Sequence, residues 1–225
     1  MSNSTKGADW VAPDCAGMNF YAVDRGLQSG IAAYLPADLR AVVEPQMDRL
    51  GALGGGRLDE LSRIADRHPP VLHPRDAAGR DLETIEHHPA YREMEQLAYG
   101  EFSMHRMCHV EGVFGWPEAM PPLVRYIFQY LFVQGEFGLI CPVSMADTGL
   151  TLMRNQASDE LKERYLPRML SNDMDELWRC AQFLTEQGAG SDVGNIEVMA
   201  RAEGDHWLIG GDKWFCSNAD AEVIL

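Results

Sequence analysis

Two short segments late in the chain carry the residue types best suited to bind an anionic or polar ring ligand. The first, FLTEQGAGSDV, occupies residues 183–193, and the second, KWFCSN, follows about one hairpin later at residues 213–218. A Gly-x-Gly pattern lets backbone amides approach an anionic group closely, and the hydroxyls of Thr185 and Ser191 can bond a polar ring edge or a phosphate oxygen. Taken alone, the first segment is equally compatible with a plain glycine turn.

The common nucleotide-binding fingerprints do not fit this segment. In a Gly-x-Gly-x-x-Gly motif a third small residue follows Gly188 and Gly190, but Val193 stands in its place. A P-loop lysine and nucleophile-elbow spacing are also missing from the sequence. A cofactor interpretation therefore depends on both segments together.

In their order and separation the two segments resemble those of the acyl-CoA dehydrogenase family of flavoenzymes. In that family a helical N-terminal domain precedes a β-barrel middle domain, which carries a TE-x-GAGSD segment and then a KxWIT-type segment. Here these stand as TEQGAGSD at residues 185–192 and KWFCS at residues 213–217. Further stretches resemble the family's alkylation-response branch: HPPVLHPRDAAGR (68–80), HHPAYREM (87–94), CPVSM (141–145) and KWFCSNADA (213–221). The resemblance covers most of the chain and is most specific after Cys180.

The resemblance implies FAD as the cofactor. Thr185 would bond the pyrimidine edge of the flavin, Phe215 would pack on the ring, and Ser217 would bond near N5, the atom that receives hydride. Such contacts stabilise the electron-rich reduced ring and exclude water from it. Ser191 would also lie near the entrance for the acyl-CoA substrate. The implied cofactor-binding residues are Gln182, Phe183, Leu184, Thr185, Gly190, Ser191, Phe215, Cys216 and Ser217.

Three departures from the common family pattern occur within these segments. Phe215 replaces a tryptophan, Ser217 a threonine and Gln187 a proline, and none of them removes a required group. The family's catalytic base is a carboxylate of the C-terminal helical domain, so no catalytic residue is assigned within these 225 residues. Glu186 and Asp192 are interpreted as strand-end and turn residues.

The expected function is that of the N-terminal part of an acyl-CoA dehydrogenase-like oxidoreductase. The reaction implied is α,β-dehydrogenation of an acyl-CoA thioester with hydride transfer to FAD, in a homo-oligomer served by an electron-transfer acceptor. One alternative is a catalytically inert truncated or split-protein module that acts through protein–protein interaction. Another is an oxidase or monooxygenase reaction on the same scaffold.

Other chemistry-bearing residues favour structural interpretations. His105 and His109 have the i, i+4 spacing of a helical metal chelate, but Arg106 stands where a zinc-protease motif needs glutamate. Both rings fall on an apolar stripe, which predicts a core or boundary pair and no metal site. Cys216 lies beside the proposed flavin face and is interpreted as a small core hydrophobe.

The sequence predicts a mainly α protein with an appended β portion. Residues 1–176 form an N-terminal helical domain, and residues 177–225 begin an antiparallel β-barrel, the flavin-contacting middle domain, with the C-terminal helical bundle absent. The predicted helical segments are a hairpin of residues 18–34 and 37–53, a long helix from Pro89 whose apolar stripe reaches His109, a helix from Pro122, and residues 159–170, capped by Ser158 and kinked or shortened by Pro167.

Short β-prone segments separated by glycine turns follow residue 177. The predicted antiparallel strands are residues 178–185, 196–203, 206–210 and 213–217. The apolar run at residues 221–225 has no partner left in sequence, which indicates a sheet cut in mid-fold and predicts poor solubility. Residues 68–89 contain four prolines and are interpreted as a long extended connection.

Charge and composition limit the partners. The chain has 19 basic and 34 acidic residues and a formal charge of −15, which disfavours nucleic-acid binding. Its longest apolar stretch, residues 126–140, is interrupted by Gln129, Gln134 and Glu136, so no membrane span is expected. The five cysteines are scattered, which favours reduced thiols. Residues 1–14 have no apolar core of the kind found in a secretory signal, which favours a cytoplasmic location.

Overall fold

The computed structural model describes residues 12–225, in which a helical part precedes a smaller β part. The predicted fold class is confirmed. Residues 1–11, on which most of the prediction about a leader segment rests, lie outside the described residues. The helices are α1 (Phe20–Val23), α2 (Arg25–Tyr34), α3 (Ala37–Gly54), α4 (Arg57–Arg67), α5 (Pro89–Glu95), α6 (Pro122–Val133), α7 (Ile140–Gln156) and α8 (Asp159–Met169). The strands are β1 (Val71–Arg75), β2 (Asp81–Glu86), β3 (Cys180–Ala181), β4 (Met199–Glu203), β5 (His206–Gly210) and β6 (Val223–Ile224).

Capping residues divide the first predicted helix into two. The side chain of Asn19 accepts hydrogen bonds from the first turn of α1, and the Asp24 carboxylate accepts one from the amide of Leu27 at 2.8 Å, which starts α2. The glycines at residues 54–56 are followed directly by α4, a helix that the sequence analysis missed. A Cβ at Gly55 would collide with the Met18 backbone, so glycine is needed for this close approach.

The core lies between the helices. Val43, Met47 and Leu50 of α3 are fully buried, as are Phe128 and Leu131 of α6. The helix predicted from Pro122 is confirmed, because proline fits a helical first turn and the apolar residues that follow form one buried face. Among the helices of residues 12–225, none combines the length and apolar character needed to cross a bilayer.

Residues 68–89 do not form an extended connection. Strands β1 and β2 pair as an antiparallel hairpin in which Val71 lies opposite Glu86. Its prolines avoid the regular ladder: Pro69 precedes β1, and Pro74 lies where the register shifts between His73 and Arg75. Since proline cannot donate a ladder hydrogen bond, it is tolerated at strand ends and bulges.

The long helix predicted from Pro89 is also wrong. The α-helix ends at Glu95 and widens into a π-helical turn, Gln96–Glu101, after which Ser103 adopts a φ of +50°. His105 and His109 therefore lie in the turns that follow and not on the helix. By contrast, α8 is confirmed: Ser158 Oγ accepts from the Leu161 amide at 3.4 Å, and the helix continues through Pro167 without the early end that the proline predicted.

The β part consists of two separate strand pairs in the described chain. Strands β4 and β5 form the predicted antiparallel hairpin, with Glu203 opposite His206. Strand β3 pairs with β6, and this pair is parallel, with Cys180 opposite Val223.

Four strand predictions need correction. The strand predicted at residues 178–185 contains only β3, and the one at residues 196–203 begins at Met199. Residues 213–217 form bends because Phe215 has a φ of +55°, which breaks an extended strand. The run at residues 221–225 does have a partner, because its residues in β6 return to β3.

Candidate functional site

The two motif segments lie against each other. The Trp214 amide donates a hydrogen bond to the Thr185 carbonyl at 2.8 Å, and Lys213 Nζ donates to the Leu184 carbonyl at 3.2 Å. Residues 182–185 follow β3, where Gln182, Phe183 and Thr185 are half-buried and Leu184 is exposed. The structure therefore brings the first half of the predicted site next to the second.

The glycine-containing loop of the first segment is anchored by Glu186. Its carboxylate accepts hydrogen bonds from the amides of Glu197 and Val198 and from Lys213 Nζ, the last at 2.6 Å. These contacts, the Glu197 amide first, hold the pKa of Glu186 below its ordinary value, so the group is ionised at neutral pH. Its backbone closes a tight turn with Ala189 through two 3.1 Å hydrogen bonds. The geometry agrees with a strand-end role for Glu186.

One side of this loop is open. An added Cβ at Gly188 or Gly190 would meet nothing within 4 Å, and neither residue has a positive φ. Within residues 12–225, therefore, neither packing nor backbone conformation requires glycine at these two positions. A ligand that must approach the backbone closely would account for both glycines. Ser191 follows them and is exposed.

Phe215 combines backbone strain with an uncovered aromatic side chain. Its φ of +55° is costly for a residue other than glycine, by about 1–2 kcal/mol, and its side chain is 82% exposed. Strain of this kind clusters at functional sites, where the surrounding structure enforces it. Here the Phe215 carbonyl accepts a hydrogen bond from the Ser217 amide at 3.0 Å.

A cavity of about 400 Å³ joins the second motif segment to the helical part. Its volume falls within the range typical of small-molecule sites, roughly 300–1,000 Å³. Cys216 is half-buried and borders this cavity, so it does not lie in the central core as the sequence suggested. The lining includes Pro70, His87, Tyr91, Pro142, Cys216 and Ser217, which brings together all four stretches that resemble the alkylation-response branch.

An ionic network that has no local sequence signal lies beside this cavity. The Arg179 guanidinium contacts Glu95 of α5 at 3.2 Å, Asp220 at 3.3 Å and Glu222 at 3.0 Å. Burial lowers the pKa of Arg179, but the carboxylates outweigh it and leave that pKa above its ordinary value. Because the partners are far apart in sequence, no spacing pattern could have predicted the network.

Both histidines of the i, i+4 pair lie in the core or at its boundary, as predicted. His105 Nε2 is 3.0 Å from the Ser171 carbonyl oxygen, and His109 Nε2 is 3.0 Å from Asp147 Oδ1. Asp147 also pairs with Arg125, so its carboxylate is shared between two cationic or donor groups. In the described part of the chain, His, Cys, Asp and Glu side chains form no group of three or more suited to a metal ion.

Comparison with known proteins assigns this chain to a family. The family model described as the adaptive response protein AidB N-terminal domain matches residues 11–176. Acyl-CoA dehydrogenase family member 11 of Caenorhabditis elegans is 27% identical over 218 residues, which cover 92% of this chain and 34% of that protein. AidB of Escherichia coli K12 is 30% identical over 188 residues, covering 77% of this chain and 33% of that protein.

A solved structure shows the same fold. The crystal structure of Caenorhabditis elegans ACDH-11 in complex with C11-CoA superposes with a TM-score of 0.76 at 24% identity, covering all of this chain and 38% of that one. This chain thus spans about a third of the length of the two curated relatives. The chain belongs to the AidB N-terminal domain family and corresponds to the N-terminal portion of AidB-like acyl-CoA dehydrogenases.

Proposed function

We propose that this chain supplies one wall of an FAD site and part of an acyl-thioester site in a flavin-dependent acyl-CoA dehydrogenase. The observation that carries the proposal is the junction of the two motif segments at the Trp214–Thr185 hydrogen bond. At this junction the open loop with Gly188 and Gly190 and the strained, exposed Phe215 present features that a bound ring and its diphosphate would explain.

Each proposed flavin contact has a physical reason. Thr185 is half-buried and Ser217 is exposed, so the hydroxyl of each is accessible to a ring heteroatom. The Phe215 ring would cover one flavin face and exclude water from it. Gln182, Phe183, Leu184, Gly190, Ser191 and Cys216 complete the proposed cofactor-binding set. Bound FAD would supply the hydride acceptor for α,β-dehydrogenation.

An acyl thioester is the proposed substrate. ACDH-11, which shares this fold, is solved with C11-CoA. In this chain the mostly apolar cavity beside Ser217 suits an acyl group. Ser191 is exposed and does not line this cavity, and it is proposed near the entrance for the acyl-CoA substrate. The same proposal includes a homo-oligomeric assembly, an electron-transfer acceptor, a cytoplasmic location and a catalytic base that is not among these 225 residues. It also divides the chain into a helical domain at 1–176 and a β domain at 177–225.

Flavin retention tests the proposed site. We expect the chain, incubated with FAD and desalted, to keep a flavin absorption band whose shape the protein perturbs. The combined change Thr185→Val, Phe215→Ala and Ser217→Ala should abolish retention, because it removes both hydroxyls and the aromatic wall. Met199→Ala, at an exposed position of β4 outside the site, is the matched control and should retain FAD.

Failure of the unchanged chain to bind FAD would contradict the proposal for this chain. It would favour the second candidate, an interaction module without flavin chemistry. One observation favours that candidate: Met199, Trp207 and Ile209 of the β4–β5 hairpin are all exposed, a pattern typical of a surface that another protein segment covers.

A further inference from the structure

His87 occupies an unusual position between the helical part and the second motif segment. Its side chain is only 8% exposed, and its ring stacks on Tyr91 with centroids 4.7 Å apart and planes 16° from parallel. Pro89 begins α5 two residues later, so the backbone that carries His87 is fixed by a helix start. The ring therefore has a defined place and little rotational freedom.

The ring makes one polar contact across the boundary. His87 Nε2 lies 3.1 Å from Asp220 Oδ2, and the same oxygen lies 3.3 Å from Arg179 Nη2. Burial raises the pKa of Asp220, but Arg179 and His87 lower it by more, so its pKa lies below the ordinary value. The carboxylate is therefore ionised and accepts hydrogen bonds. His87 Nε2 is therefore the protonated nitrogen that donates.

The other ring nitrogen of His87 is left without a hydrogen bond in the described part of the chain, so placing a histidine here is destabilising apart from its contact with Asp220. Nδ1 of His87 is buried and has no hydrogen-bond partner within residues 12–225. An unsatisfied buried polar atom is destabilising, so a side chain placed only for packing would be apolar here. What the imidazole adds is the donor to Asp220.

Charge counting explains why Asp220 needs that donor. Three carboxylates, Glu95, Asp220 and Glu222, face the two guanidinium groups of Arg92 and Arg179. The Arg92 contact with Asp220 is long, at 3.8 Å, and Arg179 is shared among all three carboxylates. The His87 N–H therefore gives the Asp220 carboxylate a hydrogen-bond donor in addition to the shared Arg179 guanidinium.

Asp220 ends the turn that carries Ser217. The turn, residues 217–220, includes Asn218 with a φ of +60°, whose side-chain Nδ2 donates to the Cys180 carbonyl at 3.3 Å. Asn218 thus ties the turn to β3, and Asp220 ties it to His87. In sequence, Ser217 stands between the strained Phe215 and these two attachments.

We propose that His87 is a positioning residue: by holding Asp220 it fixes the turn at residues 217–220 and so orients the Ser217 hydroxyl toward the bound flavin. The orientation of Ser217 toward flavin rests on the proposed flavin site. The attachment of the turn to His87 rests on the described contacts alone. His87 itself needs no contact with flavin or substrate.

The test compares His87→Phe with His87→Gln in the full chain. Phenylalanine keeps the stacking on Tyr91 and loses the donor, whereas glutamine keeps an N–H donor. Hydrogen exchange of the Ser217 and Ala221 amides, which are both hydrogen-bonded in the turn, reports the hold without any cofactor. His73→Phe is the matched control, since His73 pairs with Glu86 at 2.8 Å in the exposed hairpin far from this turn in sequence.

We expect His87→Phe to speed exchange of the two turn amides about tenfold, as loss of one charge-assisted hydrogen bond allows, without speeding exchange in α6. FAD affinity should fall and the shape of the flavin band should change in the same variant, and His87→Gln should restore both. If His87→Phe unfolds the chain, Asp220→Asn must reproduce the exchange and flavin effects.

Unchanged exchange at the turn would overturn the proposal, as would faster exchange with the affinity and band shape of FAD unaltered. A chain that exchanges as expected but binds no FAD in any form would instead refute the flavin site. The cofactor-free readout keeps these two failures apart.

Discussion

At His105 the imidazole ring is fully buried, and its Nε2 lies 3.0 Å from the Ser171 carbonyl oxygen. Burial lowers the pKa of His105 to about 3, against an ordinary value of 6.5, and the contact with Ser171 only partly opposes it. The ring of Tyr99 packs edge-on against it at 5.1 Å. A ring in this environment stays neutral over the whole physiological range.

This neutral ring makes stability depend on pH in a defined direction. Below about pH 6.5 the unfolded chain takes up a proton at His105 that the folded chain refuses until about pH 3. The His105 contribution to the free energy of unfolding is therefore complete above pH 6.5 and falls by up to about 1.4 kcal/mol per pH unit on acidification.

Urea unfolding between pH 7 and 4 measures this dependence, as a difference between unchanged and variant chains. We expect His105→Gln to flatten the slope, although it lowers stability at pH 7, because the proton uptake of the unfolded state disappears. Met199→Ala, at an exposed position of β4, adds and removes no titratable group and should leave the slope unchanged. Equal slopes in the unchanged chain and His105→Gln would show that His105 titrates normally when folded.

At the scale of elements, the contact of α7 with β3 sets where the β part begins. Gly149 of α7 faces Cys180 of β3, and a Cβ at Gly149 would collide with the Cys180 sulfur. Cys180 is fully buried, so this contact lies in the core. The helix must therefore carry a glycine at this position for the strand to lie against it.

Replacing this glycine tests the contact. Gly149→Ala should lower the free energy of unfolding by about 1–3 kcal/mol, since overpacking forces the strand away from the helix. Gly30→Ala, in the middle of α2 with open space around it, should leave stability unchanged or raise it by about 0.5–1 kcal/mol. Chemical denaturation measures both, and a neutral Gly149→Ala would mean that α7 and β3 separate without cost.

Elements with strong local signals could be predicted from the sequence, and those fixed by distant partners could not. The apolar face of α6, the cap at Ser158 and the glycine turn between β4 and β5 are local, and each was confirmed. The proximity of the two motif segments also followed from their resemblance to a family. The pairing of β3 with β6 and the Arg179 network depend on residues about forty positions or more apart, for which local periodicity carries no information.

At the scale of the whole molecule, the Arg179 network joins the helical and β parts. Its arginine follows the helical part, while Glu95 comes from α5 and Glu222 directly precedes β6. The side chain of Arg179 is 9% exposed, so the charges are largely shielded from water. Removing the cation would leave several carboxylates close together in a poorly solvated place.

Arg179→Ala should therefore lower the free energy of unfolding by about 3–5 kcal/mol. The β part should also become the first region to open, which hydrogen exchange in β3 and β6 would detect before any change in α6. Arg201→Ala, which breaks the exposed pair with Glu203, is the control and should have almost no effect. A loss in Arg179→Ala no larger than in this control would contradict a structural role for the network.

The parallel pairing of β3 with β6 also constrains the order in which the chain can fold. Roughly forty residues, including both motif segments, lie between these two strands in sequence, so pairing β3 with β6 closes a long loop. Closing this loop costs conformational entropy before the contacts between the strands stabilise it. Helical contacts such as those within α2–α4 join residues close in sequence and form faster. The helical part can thus form first, and the loop between β3 and β6 closes against it last. The two proposed ligand-binding segments therefore reach their relative positions only at the end of folding.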